Sequence, residues 1–135
     1  MRIEHVAIWT EDIERLRAFY ERYFGAVSGA RYVNPAKGFQ SYFLAFASGA
    51  RLEIMQMPGI SALPGIPRSA NDALPQFTGY VHLAFATGSA AGVDALTAQL
   101  RAEGYRILDG PRVTGDGYYE SAMLDPDGNR IEVTV

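Results

Sequence analysis

Residues 80–86 read YVHLAFA, and this run decides the fold because residues 2–9, RIEHVAIW, are its counterpart at the other end of the chain. Both read as strands; the first is rich in β-branched and aromatic residues. The chain has two histidines, and each lies in the middle of one of these runs, at His5 and His82. The segments after the two runs repeat as well. After the first, Thr10 offers a helix N-cap, and Glu11 and Asp12 place negative charge where the helix dipole favours it. Ile13, Leu16, Phe19/Tyr20 and Tyr23 recur at helical spacing up to a stop at Gly25. Strands are expected at 27–33, 39–47 and 51–57, punctuated by Asn34-Pro35 and by a turn at Ser48-Gly49.

After the second run, Ser89 is placed to cap a helix through Val93, Leu96 and Leu100 to Gly104. Strands near 105–108, 117–124 and 130–135 complete the round, with Asp125-Pro126-Asp127-Gly128 as the last turn. Both halves therefore run β-α-β-β-β, an internal repeat of architecture. The expected fold class is α+β: two tandem βαβββ modules, 1–57 and 80–135, within a single domain of 135 residues. Between them, residues 58–79 hold four of the seven prolines and three glycines, with no periodicity. This connector reads either as a partial cover for a binding cavity or as a plain surface linker.

Composition narrows the function. Hydrophobic residues at 48% and charged residues at 20% support a packed core. A formal net charge of -3 leaves no electrostatic footprint for nucleic acid or an anionic membrane surface. No segment approaches the roughly 20 apolar residues of a membrane span. Arg2, Glu4, Glu11 and Asp12 interrupt the first apolar run, against a secretory signal, so the cytoplasm is the expected compartment. With no cysteine, thiolate chemistry is excluded, and any metal must be held by nitrogen and oxygen.

Side chains alternate across a strand, so parity assigns faces. Val81, Leu83 and Phe85 oppose His82; Ile131, Val133 and Val135 oppose Glu132; Leu52 and Ile54 oppose Glu53; Val6 and Ile8 oppose His5. Each half thus has an apolar face for its helix and a second face with one His and one Glu. The offsets agree: 77 positions separate the histidines and 79 separate Glu53 from Glu132. Taken singly, a His or Glu in a strand is ordinarily structural or solvated. Taken together, the four match in offset and in face. If the two second faces curl toward each other, two imidazoles and two carboxylates meet in a concave sheet. That donor set suits one divalent ion per site, Zn²⁺, Ni²⁺ or Co²⁺, with Mn²⁺ or Fe²⁺ as alternatives.

The doubled plan, the opening IEHVAIW, the central YVHLAFA and the closing DPDGNRIEV together resemble the vicinal oxygen chelate superfamily. That group includes glyoxalase I, methylmalonyl-CoA epimerase, bleomycin and fosfomycin resistance proteins and extradiol dioxygenases. The resemblance implies a U-shaped curved sheet around a metal site, and subunits that pair as a homodimer. It carries the metal ligands onto His5, Glu53, His82 and Glu132. Two His and two Glu resemble the glyoxalase I and epimerase pattern, whereas dioxygenases of the group use two His and one carboxylate. Glutathione-using bacterial glyoxalases carry an Arg shortly after the first His. Here that stretch reads Val6-Ala7-Ile8-Trp9-Thr10, so glutathione specificity is not expected.

The resemblance therefore implies a glyoxalase I-like lyase or isomerase acting on a small substrate with adjacent oxygens, through a metal-stabilised enediolate-type intermediate. Glu132 or Glu53 would be the catalytic base, with Glu132 preferred because the last strand bears the clearest polar face. Trp9, Tyr42, Met55, Tyr118 and Tyr119 are candidates for lining the substrate cavity. The alternatives are a metal-dependent antibiotic-resistance transferase, a non-catalytic drug-binding protein and an extradiol-type dioxygenase, all on the same scaffold.

Overall fold

Val6 and Ile8 are half-buried while His5, Ala7 and Trp9 are exposed, an alternation that marks β1 (His5–Trp9) as a strand with one covered face. The computed structural model describes residues 1–61 and 78–135. The chain divides into two compact units, Met1–Pro64 and Gly65–Val135. Most of the 58–79 connector lies outside the described residues.

In the first unit, β1 is followed by α1 (Ile13–Phe24), β2 (Val27–Ser28), β3 (Tyr32–Asn34), β4 (Phe39–Ala45) and β5 (Arg51–Gln56). The sheet runs β1-β5-β4-β2, with β3 also paired to β4; β1 and β5 are parallel. One face of α1 presents Ile13, Leu16, Phe19 and Tyr20, all buried, and the sheet answers with Leu44, Leu52 and Ile54. Each of these buried aliphatics contributes roughly 1.5–3 kcal/mol by leaving water.

The second unit comprises β6 (His82–Ala86), α2 (Ala90–Ala102), β7 (Ile107–Val113), β8 (Tyr119–Leu124) and β9 (Arg130–Thr134). Its order, β6-β9-β8-β7, repeats the same plan, again with the first and last strands parallel. Val93 and Leu100 of α2 are buried, as are Met123, Ile131 and Val133 of the sheet. Thr97 is buried too, its hydroxyl donating to the Val93 carbonyl at 2.7 Å. The mixed α+β architecture agrees with the sequence reading, and no helix among the described residues is long and apolar enough to cross a membrane.

Local boundaries differ where tertiary partners decide them. Thr10 does not cap α1: its N–H continues the strand ladder onto the Met55 carbonyl at 2.9 Å. The cap is Asp12, whose carboxylate accepts from the Arg15 N–H at 3.0 Å, three residues on. The segment read as one strand over 27–33 is two, because Val27–Ser28 pairs with Ala45 and Leu44 while Tyr32–Asn34 pairs with Ser41, Gln40 and Phe39. The strand expected at 105–108 extends to Val113 through two register shifts around Gly110-Pro111, which breaks the alternation that sequence reading relies on. Gly110 has φ +80°, and a Cβ there would lie 2.5 Å from the Glu120 carbonyl oxygen, so only glycine lets β7 pass β8 this closely. Ahead of β9, the buried Asp125 carboxylate accepts from the N–H groups of Asp127 and Asn129, both at 2.9 Å. Burial pushes this carboxyl above its usual range, against the pull of those hydrogen bonds.

Candidate functional site

The two parallel strand pairs position the four candidate ligands in the same way. In β1–β5, His5 lies opposite Arg51 and Glu53 opposite Ala7. In β6–β9, His82 lies opposite Arg130 and Glu132 opposite Ala84. Each unit thus sets its His and Glu on one diagonal of one face, as parity anticipated. The reverse face is the helix side, where Leu52, Ile54, Ile131 and Val133 are buried. The site face stays open: the side chains of His5 and His82 are 40% and 36% exposed, those of Glu53 and Glu132 16% and 20%.

Within each unit the pair is close. His82 Nε2 is 3.1 Å from Glu132 Oε2, and His5 Nε2 is 3.9 Å from Glu53 Oε2. Two ligands each about 2.1 Å from a metal, at angles between 90° and tetrahedral, stand roughly 3.0–3.4 Å apart. The second pair has that spacing already, and the first must close slightly. The pair in each sheet, one imidazole nitrogen and one carboxylate oxygen, offers donor atoms of the kind that a borderline divalent cation takes. Each unit brings two of the four candidate residues together; among the described residues, no group of three or more His, Asp or Glu side chains is gathered so that it could hold a metal ion.

Around the first pair lie residues that sequence reading did not single out. His5 Nδ1 meets Glu4 Oε2 at 2.5 Å, and Arg51 Nε donates to Glu4 Oε1 at 2.9 Å. Phe43 sets its ring edge-on to the His5 ring, centroids 5.3 Å apart, and the Arg51 guanidinium stacks 4.2 Å over the same Phe43. Alternation over the strand expected at 2–9 sets Glu4 on the face opposite His5, so it gave no signal for this contact. In the second unit, Glu120 shares the face of Glu132, since Ala122 pairs with Glu132 and Glu120 with Thr134. Burial, and then the neighbouring charge of Glu132, raise the Glu120 carboxyl above its usual range. Parity within β8 would have found this residue. Arg112 lies opposite Glu120 and is hydrogen-bonded to Asp109, which it holds below the usual carboxylate range.

The cavity candidates separate by face. Trp9 and Met55 stand opposite each other on the face of Glu53, Trp9 exposed and Met55 half-buried. The Trp9 ring meets Phe39 edge-on, and Phe39 packs on Tyr32. There Tyr32, Asn34, Lys37, Phe39 and Met57 line a cavity of about 410 Å³. Tyr42 does not belong to this face. It pairs with Ile54 and is buried toward α1, where its hydroxyl donates to Glu14 at 2.9 Å and Arg17 covers its ring. Tyr119 likewise turns to the helix side and donates to Asp94 of α2 at 2.6 Å. Even and odd positions of β4 and β8 decide these two, because their aromatic rings are needed against the helices. Tyr118 is exposed just before β8.

The same fold recurs in solved structures. Glyoxalase I of Leishmania major, described as trypanothione-dependent, superimposes with a TM-score of 0.75 at 22% identity, over 99% of this chain and 86% of that one. Glyoxalase I from Zea mays gives a TM-score of 0.77 at 22% identity, over 98% of this chain and 44% of that one. A glyoxalase family protein from Enterococcus faecalis gives 0.74 at 25% identity, over 98% and 96%. In sequence, the protein YqjT of Bacillus subtilis (strain 168) is 41% identical over 58 residues, which is 41% of this chain and 45% of that relative, less than half its length. The profile shared by a whole group of such proteins matches residues 2–133, both repeats included, and by that match the chain belongs to the Glyoxalase/Bleomycin resistance protein/Dioxygenase superfamily.

Proposed function

We propose that this protein is a divalent-metal-dependent lyase or isomerase of the glyoxalase I type, acting on a small substrate with two adjacent oxygens and without a requirement for glutathione. The observation that carries the reading is the repeated diagonal: one imidazole and one carboxylate on the open face of each sheet, at matching register. His5, Glu53, His82 and Glu132 are the proposed ligands, and Zn²⁺, Ni²⁺ or Co²⁺ the preferred ions, ahead of Mn²⁺ or Fe²⁺. When bound, such an ion supplies Lewis-acid stabilisation of negative charge developing on a substrate oxygen.

The chain's own residues do the rest. Glu132 is the proposed base, taking a proton from the carbon beside the substrate carbonyl and returning it to the neighbouring carbon. Glu53 is the alternative for that role. Trp9 and Met55, beside Glu53, are proposed to contact the non-reacting part of the substrate. The proposed working form is a homodimer in the cytoplasm.

Elemental analysis of the purified protein tests this, alongside His5→Ala and Glu132→Ala variants. The expected result is one divalent ion per site, lost in both variants. A wild-type protein that takes up neither Zn²⁺ nor Ni²⁺ refutes the reading and favours a non-catalytic binding protein. Fe²⁺ with O₂ consumption would favour a dioxygenase. Glutamine at 132 and at 53 in turn identifies the base: a variant that regains full activity on reloading with metal is excluded from that role. Mixing His5→Ala and His82→Ala chains shows whether the ligands come from one chain or from two, since only a shared site is restored in the mixture.

A further inference from the structure

We propose that Glu4 is the positioning residue that makes His5 a metal ligand through Nε2, and that Arg51 holds Glu4 in place for this purpose. The inference rests on the reading of His5 as a ligand and extends it to the residues that prepare the imidazole. A neutral imidazole has one N–H donor and one lone pair, and its hydrogen-bond partners decide which nitrogen carries which. An ionised carboxylate only accepts. The ring nitrogen facing Glu4, Nδ1 at 2.5 Å from Oε2, therefore bears the proton. The lone pair is left on Nε2, the nitrogen that faces Glu53 at 3.9 Å. A carboxylate behind a ligating histidine both sets the tautomer and raises the basicity of the other nitrogen.

The two Glu4 oxygens divide the work. Oε2 accepts from His5, while Oε1 accepts from Arg51 Nε at 2.9 Å and from Arg51 Nη2. Arg51 is itself fixed, paired across from His5 in the β1–β5 ladder and stacked on Phe43. Phe43 meets the His5 ring edge-on, so the imidazole is held both through its nitrogen and against its ring. Among its described residues, the second unit has no copy of this device. Val81 precedes His82, Ala122 stands across from Glu132 where Phe43 stands across from Glu53, and the carboxylates that act on His82 are Glu132, at 3.1 Å, and Glu120. The repeat is symmetric in its ligands and asymmetric in what supports them.

The test combines ¹⁵N NMR of the histidine rings in the metal-free protein with calorimetric titration of Zn²⁺ and Co²⁺. Wild type, Glu4→Gln and Glu4→Leu are compared, and a His82→Ala chain assigns the His5 signals. The expected result is neutral His5 protonated at Nδ1 in wild type and shifted toward the Nε2–H tautomer in Glu4→Leu. Metal affinity should fall 10- to 100-fold in Glu4→Leu. Glu4→Gln keeps an acceptor but not the charge, and should fall between. A merely structural Glu4 would leave the tautomer unchanged. Metal uptake indifferent to Glu4, or an Nε2–H tautomer in wild type, overturns the role of Glu4 alone. No uptake by wild type overturns the ligand reading and this role with it.

Discussion

A divalent cation should raise the thermal stability of this protein, and replacing Glu132 by Gln should abolish most of that gain. A ligand that binds only the folded state stabilises it by about 2.7 kcal/mol at a free concentration of 100 Kd. A chain of 135 residues unfolds with an entropy of roughly 0.28 kcal/mol/K, so that stabilisation raises Tm by about 10 °C. Losing a partner that merely supports a ligand weakens metal binding 10- to 100-fold, so losing a ligand should cost at least about 100-fold. At the same metal concentration the variant then retains about 0.4 kcal/mol, a shift of roughly 1.5 °C. The structure adds an ordering. The His82–Glu132 pair, at 3.1 Å, already has the spacing of two ligands on one ion, whereas the His5–Glu53 pair, at 3.9 Å, must close by roughly 0.5–0.9 Å. Glu132→Gln should therefore cost more affinity than Glu53→Gln. Scanning calorimetry of the metal-stripped proteins over a Zn²⁺ and Co²⁺ titration measures both. An undiminished shift in Glu132→Gln, or a larger loss in Glu53→Gln, would refute the reasoning.

Three further outcomes are expected. Ile54→Ala empties a fully buried position behind Glu53 and should destabilise by about 2–5 kcal/mol in denaturant melts, leaving metal stoichiometry at one ion per site. Gly110→Ala should destabilise by at least about 1–3 kcal/mol, since its Cβ would press on the Glu120 carbonyl oxygen and its φ is +80°; stability equal to wild type would show that β7 can move away. Asp125 has its carboxyl raised by burial, so folding favours its protonated form: its contribution is complete below the unfolded aspartate value and lost as pH rises through the folded one. Asp125→Asn, neutral at every pH, should thus gain on wild type as pH rises through that window in parallel melts, and a gain that instead grows on acidification would contradict the assignment.

Much of this protein was legible in one dimension. The order of strands and helices comes from two periodicities and from turn residues such as Asp125-Pro126-Asp127-Gly128, which act locally. The faces of His5, Glu53, His82 and Glu132 come from alternation alone, because a strand that buries Leu52 and Ile54 must turn Glu53 the other way. Boundaries were less legible, since a strand lasts as long as its partner does. Thr10 went to the ladder with Met55 rather than to the helix cap, and 27–33 broke where its two parts met different stretches of β4.

The neighbours of the site belong to tertiary structure. Tyr42 and Tyr119 read as cavity aromatics until the helices claimed them through Glu14 and Asp94. Arg51 and Glu4 are 47 positions apart, and Phe43 is 38 from His5; only the parallel β1–β5 pairing and the β4–β5 hairpin bring them to one imidazole. The sequence by itself determined which residues face which way, because that depends on periodicity within a few residues. Tertiary structure decided which of them touch, because contact between distant segments depends on strand register, and register is settled by the packing of the whole sheet.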